Sequence, residues 1–272
     1  MSWLKRLTDQ LVLRPTTHPI SNNALERQVI HSADGELEIW TAHYRANDPT
    51  AQALWIKFPG TGGRAESSSV RPANVWQDVD SKVWTVNPFG YGNSSGEATL
   101  QRFPEMIELL GEAAQNRYPD RPVVVVGNSL GSISALAYAA RFPVAGVLLK
   151  NPVPIHQMIS RRAKYAFPSL GLSRFIAAQI PDSLDAIRNA KQCQAPGVIV
   201  SAQQDRVVPV QFQNQVIAHY GGDSRVIRLP SAAHHDAVPA ERFSIYQESL
   251  LWMKTEFVSA HRLGVDATAN RM

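Results

Sequence analysis

The sequence predicts an α/β domain: a mostly parallel central sheet flanked by helices, with a small helical insertion. Three observations predict it. Six short apolar runs lack the alternation of half-exposed strands, as suits strands covered on both faces: Ala53 to Phe58, Val83 to Val86, Val123 to Val126, Val144 to Leu149, Gly197 to Ser201 and Arg225 to Leu229. Segments of helical pattern separate many of these runs, which implies crossover connections and helices on both sides of one sheet. Between Asn151 and Lys191 lie roughly forty residues broken by Pro152, Pro154, Pro168 and Pro181, a length at which structureless loops are rare in compact domains.

From the start of the chain, Trp3, Leu4, Leu7 and Leu11 fall at helical spacing. A helix packed on the body accounts for them; the alternative is a short helix in contact with a membrane surface, helped by Lys5 and Arg6. The stretch lacks the continuous apolar centre and small-residue cleavage site of a secretory signal. Arg27 to His31 and Leu37 to Tyr44 flank Ala33-Asp34-Gly35 and predict an antiparallel hairpin, with Leu37, Ile39 and Thr41 on one face and Glu38 and Trp40 on the other. Helices are expected at Phe103 to Asn116, Ser129 to Arg141, Val210 to Tyr220 and Glu241 to His261, and within the insertion at Ile155 to Ala166 and Leu172 to Gln179. The resulting plan is a lead-in over 1–26, a core made of 27–151 and 192–263, an insertion over 152–191, and a frayed tail over 264–272.

The chain has 272 residues, 44% hydrophobic and 18% charged, which is enough apolar material for one large core. Its net charge is +4 and no run of five or six like charges occurs, so the balance argues against a nucleic-acid partner. The densest basic stretch, Arg161, Arg162 and Lys164, reads as a solvated helix face. Cys193 is the sole cysteine, which excludes an intramolecular disulfide and fits a reducing compartment. It stands before an expected strand and reads as a small half-buried side chain, not a catalytic thiol. No apolar run approaches the roughly 20 residues of a membrane span, so the expected location is cytoplasmic. The sequence sets no oligomeric state.

The strongest local signal is Gly127-Asn128-Ser129-Leu130-Gly131, between the strand Val123 to Val126 and an Ala-rich helix. A serine between two such glycines, on a sharp strand-to-helix turn, is presented above the sheet edge as a nucleophile. The amide of Leu130, at the helix start, can face a developing negative charge. Ser129 as a simple helix cap is the weaker alternative. A serine needs a base, and the base needs a group to orient it. Asp205 follows the strand Gly197 to Ser201, and the adjacent His234 and His235 follow the last strand. We expect Asp205 and His234 to serve, with His235 as the second candidate for the base. Asp205 could instead only cap a turn. A second oxyanion donor is expected from Phe58-Pro59-Gly60-Thr61-Gly62-Gly63: the amide of Thr61, with Gly62 as the alternative.

These blocks, together with Asn87-Pro88-Phe89-Gly90-Tyr91-Gly92-Asn93-Ser94-Ser95-Gly96, resemble the α/β-hydrolase superfamily over roughly Leu37 to Trp252. The last block looks like the D-x-x-G-x-G-x-S-x-G loop of the serine aminopeptidase-like and lysophospholipase-like branch. The resemblance implies that Ser94 and Ser95 brace the site and that the insertion forms a cap over it. It departs from the pattern in three places: Pro59 stands where many relatives carry His, Asn87 where Asp is common, and Ala232-Ala233 where a Gly is usual.

The expectation is therefore an α/β-hydrolase fold with a serine hydrolase site. It would cleave a carboxylic ester, or a thioester or amide, of a small-molecule acyl substrate, with no metal or organic cofactor. An acyltransferase using the same serine, or a non-catalytic binding protein on this fold, are the alternatives. Ile155, Met158, Ile159, Tyr165, Phe167, Leu170, Leu172, Phe175 and Ile176 could either line an acyl pocket or bury the insertion on the body.

Overall fold

A computed structural model describes residues 3–45, 51–166 and 173–269. Eight strands form one sheet: β1 (Glu26–Ser32), β2 (Gly35–Tyr44), β3 (Ala53–Phe58), β4 (Ser81–Val86), β5 (Val123–Asn128), β6 (Gly146–Lys150), β7 (Gly197–Ala202) and β8 (Ser224–Leu229). Their order is β1-β2-β4-β3-β5-β6-β7-β8. The pairs β1–β2 and β2–β4 are antiparallel, and every pair from β4 to β8 is parallel. All six expected runs are strands, and the hairpin lies at the edge as expected.

The chain winds outward from β3 to β4 on one side and from β5 to β8 on the other. The order therefore reverses between β3 and β5, and the crevice beyond their carboxyl ends is where such sheets place ligands. Phe58 pairs with Gly127, so the loop after β3 and the turn after β5 emerge side by side.

Alternate residues of the buried strands feed two cores. Leu54, Ile56 and Phe58 pack into one, while Ala53 and Trp55 pack into the other. The first core is covered by α1 (Trp3–Val12), α2 (Phe103–Arg117), α3 (Gly131–Ala139), α4 (Ile155–Ala166), α5 (Ser173–Ala177), α6 (Ala186–Gln192) and α7 (Val210–Ala218). The second is covered by α8 (Ala240–Ala269) and the turn around Trp76. There Trp76 meets Trp55 edge-on at 4.8 Å and donates Nε1–H to the carbonyl of Leu250.

Four details add to the sequence expectation or differ from it. Helix α6 was not anticipated, although its cap is legible: the Asp185 carboxylate accepts the amides of Ile187 and Arg188 at 3.0 and 3.1 Å. Helix α8 continues through Ala269, past the expected end at His261 and into the expected tail. Glu38, a charged residue on the face opposite Leu37 and Ile39, is completely buried by the polar network described below. In α1, Leu4, Leu7 and Leu11 pack on the core as expected, but Trp3 remains 62% exposed. Leu172, Phe167 and Leu170 lie outside the described residues, and so does the end of the tail.

Candidate active site

Ser129 is positioned by a steric requirement of its turn. Its φ is +52°, in the left-handed region that a non-glycine residue occupies only when its surroundings fix it. Its amide is held by the carbonyl of Lys150 on β6 at 2.8 Å. The turn is tight enough that a Cβ at Gly127 would lie 2.5 Å from Cα of Ser132, and one at Gly131 would lie 1.9 Å from the carbonyl oxygen of Phe58. The two glycines of the motif are thus demanded by close backbone approach. Helix α3 begins at Gly131, so the Leu130 amide stands at its N-terminal end, where helix amides have no intrahelical partner.

Asp205 and His234 come together behind this turn. Nδ1–H of His234 donates to Oδ2 of Asp205 at 2.6 Å, and both side chains are buried. Because a carboxylate can only accept, this bond places the ring proton on Nδ1 and leaves Nε2 as the basic nitrogen of the neutral ring. The other carboxylate oxygen accepts the amides of Val207 and Val208, each at 2.8 Å. Asp205 therefore both caps its turn and orients the imidazole, one oxygen for each task. His235 is exposed and stands edge-on to His234 at 4.8 Å between ring centres. Only His234 reaches Asp205.

Ser129, His234, Thr61, Gly62 and His235 line one cavity of about 640 Å³. Two contacts fix the peptides of its Gly-rich wall. The carbonyl of Gly60 accepts the Gly63 amide at 2.9 Å, and that of Thr61 accepts the Tyr91 hydroxyl at 2.9 Å. The amides of Thr61 and Gly62 belong to those same two peptides and point away from these carbonyl contacts.

Sequence reasoning missed several residues around the site. Asn151, completely buried with φ +50°, donates to the carbonyl of His234 at 2.9 Å and accepts the Ala202 amide at 2.9 Å. Its neighbour Lys150 donates Nζ–H to the carbonyl of Asp236 at 2.6 Å. The end of β6 thus grips both the serine turn and the base loop. Gln213 on α7 donates to Oδ2 of Asp205 at 3.3 Å and to the carbonyl of Val208 at 2.7 Å. A polar Lys-Asn pair closing an apolar strand was the one available signal. Among the described residues, Leu11, Val12, Arg14, Gly60, Gly63, Asn128 and Val207 also line the cavity. The insertion residues Ile155, Met158, Ile159 and Ile176 are buried in the core instead, and Phe175 is 48% exposed; none of these five lines the cavity. Burial pushes the Cys193 thiol above its ordinary range, which leaves it a poor nucleophile.

Behind the Gly-rich wall lies a buried ionic network. Asn87 at the end of β4 donates to Glu38 at 2.6 Å and to Glu66 at 2.8 Å, while its oxygen accepts the Ala65 amide at 2.8 Å. Arg64 pairs with Glu66 and also donates to the carbonyls of Thr16 and His18 at 2.9 and 3.1 Å. Burial raises the Glu38 carboxyl, but hydrogen bonds from Asn93, Arg27 and Asn87 outweigh it and hold the group below its usual range. Ser94 bridges the same elements, donating to the carbonyl of Asn87 at 2.7 Å and accepting the Glu38 amide at 2.8 Å. An aspartate at 87 would add a third carboxylate here and remove both N–H donors. Asn87→Asp should therefore destabilise the protein by about 3 kcal/mol or more at neutral pH. The new carboxyl would have its folded-state pKa raised, so the deficit should grow as pH rises through that value. Urea unfolding of both proteins at several pH values measures it.

The site and sheet define a class: an α/β domain with a serine on a strained strand-to-helix turn and an Asp–His pair facing the same cavity. The alpha/beta hydrolase fold family model matches residues 63–194, a stretch that holds Ser129 and Leu130 but ends before Asp205 and His234. The chain has the α/β-hydrolase fold. It is 26% identical to human alpha/beta hydrolase domain-containing protein 17B over 174 residues, 63% of this chain and 56% of that protein. The Xenopus tropicalis counterpart is 22% identical over 180 residues, 65% of this chain and 58% of that protein. The matched stretch thus spans just over half the length of these curated relatives. Among solved structures, Est1E from Butyrivibrio proteoclasticus superposes with a TM-score of 0.62 at 16% identity, covering 86% of this chain and 99% of that one. An acetyl xylan esterase from Paenibacillus sp. R4 gives a TM-score of 0.64 at 14% identity, covering 91% and 92%.

Proposed function

We propose that the protein is a serine hydrolase that cleaves a carboxylic ester through an acyl-enzyme on Ser129. The observation that carries this reading is the 2.6 Å bond from His234 to buried Asp205, on a ring that shares one cavity with the strained Ser129. Nε2 of His234 takes the hydroxyl proton as Ser129 attacks the acyl carbon. Asp205 holds the ring in the tautomer that makes this possible and stabilises the imidazolium that forms. The amides of Leu130 and Thr61 receive the oxyanion, with Gly62 as the neighbouring donor. His234 then protonates the leaving group, and a water activated by the same ring releases the acid. Thioesters and amides follow the same path. The ester is preferred as substrate because a similarly folded protein, the acetyl xylan esterase, carries an esterase name.

Fluorophosphonate labelling tests the reading. The wild-type chain should be labelled at a single site, mapped by peptide mass to Ser129, and Ser129→Ala should not be labelled. Labelling elsewhere, or none on folded protein, would remove the proposal. Inclusion of alcohol, amine or thiol acceptors in the turnover assay distinguishes hydrolysis from acyl transfer to another acceptor.

A further inference from the structure

The net charge of +4 is not spread evenly over the chain. Residues 3–14 and 153–180 contain seven Lys or Arg and a single acid, Asp9, whereas the whole chain has 27 basic and 23 acidic residues. The rest of the protein is thus slightly acidic, and these two segments supply all of the positive excess. They are far apart in sequence, yet the fold joins them: α5 packs against both α1 and α4. The Thr8 hydroxyl donates to the carbonyl of Ile176, which pins α1 onto α5. The one acid, Asp9, is buried, and its carboxylate accepts the amide of Leu100 at 2.9 Å.

Two large aromatic side chains project from the same helices. Trp3 is 62% exposed although it belongs to the apolar stripe whose other members are packed on the core. Phe175 is 48% exposed, with the guanidinium of Arg174 over its ring at 4.9 Å. On α1 the exposed positions Trp3, Arg6 and Gln10 form one outward stripe. Exposed aromatics among cations match a lipid–water interface: rings enter the headgroup level and Lys and Arg meet anionic lipids. A soluble polyanion would use the charge but has no need of the two aromatics. No helix among the described residues is long and apolar enough to cross a membrane, so any attachment through these helices is peripheral.

We propose that the outer surface formed by α1, α4 and α5 docks the protein on an anionic lipid bilayer. Leu11 and Val12, two turns beyond Trp3, form part of the cavity wall. Docking through α1 would thus set the cavity on the order of 12 Å from the membrane contact. If the acyl-transfer reading holds, substrates partitioned into that bilayer are delivered to Ser129.

The test is co-sedimentation of the full chain with vesicles, a readout that does not involve hydrolysis. The wild type should bind vesicles containing about 30% phosphatidylserine in roughly 0.1 M salt, and about tenfold or more weakly when the vesicles are pure phosphatidylcholine or the salt is near 1 M. Lys5→Glu/Arg6→Glu and Trp3→Ala/Phe175→Ala should each reduce binding by a similar factor while keeping the wild-type thermal midpoint. Absence of vesicle binding, or unchanged binding by either double variant, would overturn the proposal. So would binding to a heparin fragment that survives Trp3→Ala/Phe175→Ala without any binding to vesicles; the surface would then serve an acidic polymer. Labelling of Ser129 is unaffected by any of these results, so the two readings fail separately.

Discussion

Replacing His234 with alanine should lower the turnover of an activated ester by roughly four orders of magnitude or more, whereas replacing His235 should leave it close to wild type. The two residues are adjacent and both line the cavity, so sequence position does not separate them. The carboxylate does. Asp205 engages Nδ1 of His234, and that bond fixes which nitrogen is basic. His235 is exposed, edge-on to its neighbour. The comparison is made with kcat/KM on a soluble ester, because the residual activity of the His234 variant is then read against the oxyanion donors that remain. A large loss on His235→Ala with a small one on His234→Ala would reverse the assignment.

Gly131→Ala should be close to incompatible with the fold. A single added methyl would lie 1.9 Å from the carbonyl oxygen of Phe58, 2.6 Å from its carbon and 2.6 Å from the carbonyl oxygen of Pro59. All three are backbone atoms of β3 and the loop after it, so no side-chain rotation can relieve the contact. Either α3 moves away from the sheet or the Gly-rich wall moves off the serine. We expect a loss of roughly 4 kcal/mol or more in urea unfolding, at the upper end of what single substitutions do. Gly62→Ala is the control: a Cβ there meets nothing within 4 Å, and stability should be nearly unchanged.

The contrast between these positions shows what the sequence carries and what it does not. The strands and the serine turn were legible because their signals are local: β-branched runs, then two glycines flanking a serine. Asp205 and His234 were legible because each follows directly on a strand whose end faces the same edge of the sheet. Tyr91, Asn151 and Gln213 were not, since they act on backbone carbonyls and a carboxylate supplied by other loops. Which segment walls the cavity was also hidden. The apolar residues of the insertion fit either use, and only the seating of α1 on α5 decides that Leu11, Val12 and Arg14 take the position while Ile155, Met158 and Ile176 go inward. Glu38 reads as a polar residue on an alternating strand. Its burial follows from donors that arrive from a loop some fifty residues later.

The grip exerted by the end of β6 bears on how the site could be refitted. Lys150 and Asn151 hold the serine turn and the base loop, and the Val153 amide is tied to the Ser132 hydroxyl at 2.9 Å, before the chain leaves for α4. The serine turn and the base loop are therefore held together before the chain enters α4. An exchange of the segment from α4 through α5 for another of equal span would leave those contacts in place and disturb chiefly the seat of α1. Since α1 in turn supplies part of the cavity wall, the shape of the substrate chamber could be changed from outside, by altering what α1 rests upon, without altering a residue that faces the substrate.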